Sequence, residues 1–135
     1  MDTQVMNEQA IREILAETHA GKLIFPEVVG RMLAAGVESY FVDVPRAEDI
    51  VYLRDGTTLA VKMHLTMDAV AEEFSEGGIV AAIRAAQRDE IRYPEFMRQA
   101  CAAGVVAYWA FLTGKKVIYF GRQGGFHVEH FPGAK

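Results

Sequence analysis

The chain has 135 residues, 51% hydrophobic and 24% charged, with a formal net charge of -4. That balance belongs to a folded globular chain rather than a disordered one, and its mild acidity argues against a nucleic-acid binder that works through bulk charge. A lone cysteine, Cys101, excludes an internal disulfide, and no apolar run approaches the roughly 20 residues that span a bilayer, so neither a nucleic-acid nor a membrane partner is expected.

In chain order, the opening MDTQVMNEQA carries two acids where a signal peptide would be basic, and the expected location is cytoplasmic. Asn7 and Glu8 can start a helix, by accepting from the free amides of its first turn and by complementing its dipole. Ile11, Ile14, Leu15 and Thr18 then recur at helical spacing. Pro26 suits the first turn of a second helix, which Gly36 closes. From Val37 to Val44 the period changes to two and predicts a half-exposed strand; Ile50 to Leu53 follow as a second, and Asp55-Gly56 turns the chain into a third over 58–65. Thr66 to Phe74 reads as a short linking helix, capped by Thr66, with Met67, Val70, Ala71 and Phe74 on one face.

The sequence of elements then starts again. Ser75 and Glu76 open a helix through Ile79, Ala82, Ile83 and Ala86, and Pro94 and Gly104 bracket the next. Val105 to Leu112 is almost wholly apolar and predicts a strand buried on both faces, followed by strands at 117–120 and 126–131 with Gly124-Gly125 between them. Residues 25–56 and 93–124 align without a gap at a spacing of 68, with 10 identities in 32 positions, among them Pro26/Pro94, Gly36/Gly104, Tyr40/Tyr108, Arg54/Arg122 and Gly56/Gly124. Chance composition would give roughly two. The reading is an α+β protein: an internal duplication of a helix-helix-strand-strand-strand unit, with helices packed on a mainly antiparallel sheet. It is expected to form one domain over 1–135, its halves at about 7–65 and 75–131.

The FPE helix start, the AAGV junction, the Tyr40-Phe41-Val42-Asp43 strand and the closing Tyr119-Phe120-Gly121 hairpin resemble the YbcV-like family of small bacterial and prophage-associated proteins. That resemblance implies a fold unit and no established chemistry, active site or cofactor.

Two constellations are candidates for function. His127, Glu129 and, from the corresponding strand of the first half, His64 supply metal-ligand chemistry. Tyr40, Tyr108, Arg54 and Arg122 recur in both halves and could frame a small anionic ligand. Cys101 replaces Leu33 on an inner helical face and reads as core, Gly121 to Gly125 reads as a hairpin rather than a phosphate cradle, and Arg84, Arg88 and Arg92 form a solvated helical row. No cofactor motif is present. The resulting expectation is a ligand-binding or protein-interaction module without catalytic activity, with a homodimer among its expected states. A small enzyme or metal-binding protein using His127 and Glu129, and a phage-related accessory protein, are the alternatives.

Overall fold

The computed structural model describes residues 3–133. Its elements are α1 (Thr3–His19), α2 (Phe25–Ala34), β1 (Val37–Asp43), β2 (Glu48–Leu53), β3 (Thr58–Lys62), α3 (Glu76–Gln87), α4 (Tyr93–Ala102), β4 (Val105–Phe111), β5 (Lys116–Gly121) and β6 (Phe126–His130). The strands form one antiparallel sheet in the order β3-β2-β1-β4-β5-β6. The α+β class and the twice-repeated element order are those expected from the sequence.

The repeat extends to backbone detail. Positive φ angles occur at Gly21 and Asp89, Gly36 and Gly104, Ala47 and Lys115, and Gly56 and Gly124, each pair 68 residues apart. The bulge between Val37 and Ser39 has its twin between Val105 and Ala107. β1 and β4 meet in the middle of the sheet, where Phe41 faces its own equivalent, Trp109, and Ser39–Phe111 mirrors Asp43–Ala107. A pseudo-two-fold axis therefore passes between Phe41 and Trp109, normal to the sheet.

Local chemistry accounts for the helix boundaries. The Ser75 hydroxyl accepts from the Gly78 amide and caps α3. Prolines occupy the first turns of α2 and α4, where an amide would have no partner. The Glu27 carboxylate accepts from the Ile24 amide, closing the entry of α2.

All four helices lie on one face of the sheet. Inward-pointing Tyr40, Val42, Val44, Val51, Tyr108, Ala110, Val117 and Tyr119 are buried with Ile11, Ile14, Met32, Ile79, Met97 and Cys101 of the helices. Cys101 is core as expected, and burial pushes its thiol pKa up.

Three expectations need correction. α1 begins at Thr3, so Asn7 and Glu8 lie within it rather than at its start. β4 is not covered on both faces: Val106, Trp109 and Phe111 point to the side without helices and are only partly buried. An uninterrupted apolar run signals two apolar faces, and here one of them has no layer over it. Nor do residues 66–74 form a helix. The segment runs irregularly across the end of α4, its backbone tied by Ala71 N–H to the Cys101 carbonyl at 3.0 Å, with Ser75 N–H donating to the Ala103 carbonyl at 2.8 Å. Those bonds tie the segment to carbonyls at the α4 C-terminus, where intrahelical partners run out. Phe74 anchors this strap against three glycines: a Cβ at Gly121 would stand 2.7 Å from Phe74 Cβ, one at Gly125 3.3 Å from its ring, and one at Gly104 2.3 Å from the Glu73 carbonyl oxygen.

Candidate functional site

The alternation of β1, β4 and β5 aims Tyr40, Tyr108 and Tyr119 at the helices, and α4 brings Tyr93 and Phe96 over them. The rings form a continuous set, with centroids 6.4 Å apart for Tyr40 and Tyr108, 5.4 Å for Tyr108 and Tyr119, and 6.3 Å for Phe96 and Tyr119. Between this floor, α2, α3 and the end of β6 lies a cavity of about 270 Å³. Its walls are mostly apolar, from Val28, Ile83, Ala86, Ile91, Phe96 and Phe131, with the exposed ring of Phe25 edge-on to Phe131 at the mouth.

The polar groups on the floor differ in what they already hold. The Tyr93 and Tyr108 hydroxyls are 2.8 Å apart and bond each other. Those of Tyr40 and Tyr119 make no hydrogen bond to another described residue. Burial raises the pKa of all four phenols, and the Asp49 carboxylate adds to the effect at Tyr40, Tyr93 and Tyr108. They remain protonated at neutral pH and offer neutral donors and acceptors.

Behind the floor is a pair that sequence reasoning missed. His19, the last residue of α1, places Nε2 2.8 Å from Asp49 Oδ2, and the side chains are 4% and 2% exposed. Burial pushes the Asp49 carboxyl above its ordinary range, against the opposing pull of His19. The His19 ring also packs on Tyr93 at 5.8 Å. One signal for this pair was available: Asp49 interrupts the inward series Asp49-Val51-Leu53, and a lone acid at an apolar strand position calls for a partner.

His127 and Glu129 share the helix-facing side of β6, as their spacing predicts. His127 Nδ1 is 2.6 Å from Glu76 and its Nε2 3.0 Å from Glu129, while Arg84 donates to the other Glu129 oxygen at 2.8 Å. Burial disfavours the charged imidazole, but hydrogen bonds to Glu129 and Glu76 outweigh it and raise the His127 pKa. Burial likewise opposes ionisation of Glu129, yet Arg84 and His127 hold its pKa below the ordinary value. The result is an ion-pair network clamping β6 to α3.

The remaining sequence candidates lie elsewhere. His64 follows β3, at the opposite edge of the sheet from His127, and among the described residues no three His, Cys, Asp or Glu side chains gather around a common metal position. The expected trio of His64, His127 and Glu129 is therefore divided by the width of the sheet. Tyr40 and Tyr108 come together on the cavity floor, but Arg54 and Arg122 stand in the hairpin turns outside it, where Arg122 donates to the Val70 carbonyl at 3.2 Å. The row of Arg84, Arg88 and Arg92 is neutralised residue by residue by Glu129, Glu90 and Asp89.

Residues 25–129 match a family described as a protein of unknown function, DUF1398. The chain is also similar to uncharacterised proteins of Mycobacterium bovis and of two strains of Mycobacterium tuberculosis, each 27% identical over 133 residues that cover 97% of this chain and 80% of the relative.

Proposed function

The chain belongs to the DUF1398 family of proteins of unknown function, and from that premise we propose that it is a small-molecule-binding module whose ligand occupies the tyrosine-floored cavity. The carrying observation is the pairing of an apolar enclosure of about 270 Å³ with two phenol hydroxyls on its floor, Tyr40 and Tyr119, that make no hydrogen bond to another described residue. Ligand sites combine apolar walls with a few placed polar groups, and this volume lies at the small end of their range. The ligand is a compact, largely apolar molecule with one neutral hydroxyl or carbonyl. An anionic group is disfavoured at depth, because the Asp49 carboxyl lies behind the floor and Arg92 at the rim is held by Asp89 and the Gly21 carbonyl. Phenols kept protonated serve as hydrogen-bonding groups rather than bases, so the reading is binding without catalysis. It takes 1–135 as one domain built by internal duplication, and the YbcV-like resemblance as a finer kinship within the family.

Titration with cyclohexanol and phenol, followed by saturation-transfer NMR, tests the proposal. Wild-type protein should bind at least one saturably; Ala86→Trp, which fills the cavity, should abolish binding, and Tyr119→Phe should weaken it roughly 3- to 10-fold, the worth of one hydrogen bond. Absence of saturable binding to either probe, or undiminished binding by Ala86→Trp, would overturn it.

A further inference from the structure

The side of the sheet without helices presents three rows of side chains fixed by the strand register. The middle row, Ala60-Ile50-Phe41-Trp109-Ile118-Val128, is apolar from one edge to the other. Charges stand only in the outer rows, where Lys62, Glu48 and Asp43 occupy one end, Lys116 and His130 the diagonally opposite end, and Glu38 at the β1 bulge borders Tyr52, Phe111 and Lys116. Aromatic rings dominate the centre: Trp109 lies 5.2 Å from Phe41, 5.4 Å from Tyr52 and 5.3 Å from Phe111 by ring centroids. Phe126, on the same side at the sheet edge, is 61% exposed.

We propose that this face is the interface of a homodimer, in which two copies pack sheet on sheet about a two-fold axis lying in the plane of contact. Three features favour a second copy of this chain. An apolar middle with charges confined to the margins is the anatomy of an interface core and rim. Six strands at about 4.8 Å and five to seven residues at about 3.3 Å make a face on the order of 500–600 Å²; paired with itself it covers roughly 1,000 Å², the lower bound for a specific dimer. Self-association also needs a self-matching surface. The pseudo-two-fold supplies one, since aromatic residues meet at the centre of the row and smaller aliphatic residues flank them on both sides. The cavity opens between the helices on the other face, so dimer formation leaves it accessible.

Sedimentation velocity and native mass spectrometry of the full chain test the assembly. Wild-type protein should give twice the 15.0 kDa chain mass, and Ile118→Arg, with the charge in the middle row, should raise the dissociation constant by roughly 30-fold or more with unchanged circular dichroism. If that variant fails to fold, the wild type alone decides: Trp109 is the single tryptophan and sits in the contact, so its emission should shift to the red on dilution with the same midpoint as the loss of mass. A wild type that remains monomeric at about 1 mM protein, a dimer undisturbed by a folded Ile118→Arg, or emission indifferent to dilution would each overturn the proposal, and would leave the cavity reading untouched.

Discussion

At the inward positions of the first half, His19 and Asp49 form a buried pair, where the second half has Gln87 and Val117. One strand further out the asymmetry reverses: Leu59 and Val61 of β3 correspond to His127 and Glu129 of β6, and Ala16 to Arg84. The aromatic content is unequal too, with Phe25, Val28 and Val51 answering to Tyr93, Phe96 and Tyr119. Positions that are the same in both halves set the backbone, through Gly36/Gly104, Gly56/Gly124 and the prolines of α2 and α4, and supply one shared pair, Tyr40 and Tyr108, to the cavity floor. Positions that differ build the rest of the cavity and its supports. A shared backbone thus specifies the fold, and its departures from symmetry complete the site.

Exchanging one half's chemistry for the other's probes that division, beginning with the largest effect. His19→Ala should cost about 3–5 kcal/mol in urea unfolding at pH 7, because it leaves the Asp49 carboxyl buried and unpaired. The double variant His19→Gln with Asp49→Val installs the second half's residues, removes the charge altogether, and should recover most of that loss. A double variant as unstable as the single one would mean that the pair does more than neutralise itself.

The equivalent glycines give the next contrast. Gly36→Ala should cost about 1–2 kcal/mol, the strain of a left-handed backbone, since the nearest atom to a new Cβ there is 3.8 Å away. Gly104→Ala should cost more than Gly36→Ala, because its Cβ would be driven to 2.3 Å from the Glu73 carbonyl and the strap would have to lift. Equal melting temperatures for the two variants would deny the strap its fixed seat.

The smallest effect expected is the pH dependence that His127 and Glu129 add in the second half. The His127 pKa is raised in the folded state, so its stabilisation is complete below about pH 6.5 and fades as pH rises through the folded value. Glu129 acts in the opposite sense: its contribution holds above about pH 4.5 and fades as pH falls through a lowered folded value. His127→Leu, the residue of the first half, should flatten the slope of stability above pH 6.5. The amplitude should stay under about 1 kcal/mol, because Glu76 is 64% exposed and well screened. An unchanged slope in His127→Leu would assign the titration to another group.

How much of this was legible in the chain follows from the range of the interactions. Helix starts at Pro26, Ser75 and Pro94, the closing Gly36 and Gly104, and the hairpin at Gly56 were readable because each depends on a residue's own dihedrals or its nearest amides. The segment at 66–74 misled, since Met67, Val70 and Phe74 fall at helical spacing, but the Ala71 amide is held by the end of α4 and Phe74 seats against Gly121 and Gly125. Likewise Tyr40 and Tyr108 could be paired through the repeat, whereas the arginines matched with them by the same logic sit in turns that leave the cavity. The His19–Asp49 contact joins residues 30 apart on non-adjacent elements, and only the register of β2 against the end of α1 brings them together. The bare side of the sheet was present in the sequence as an apolar β4 but was read as doubly buried, because a strand's pattern reports that a face is apolar and not what covers it.

The binding site can be located most directly by amide chemical-shift mapping of the ¹⁵N-labelled protein during a cyclohexanol titration. Saturable shifts centred on Ala86, Ile91, Phe96 and Tyr119, and missing in Ala86→Trp, are the predicted result. Shifts centred on Tyr52, Trp109 and Phe111 of the bare face, or no saturable shift, would contradict the account.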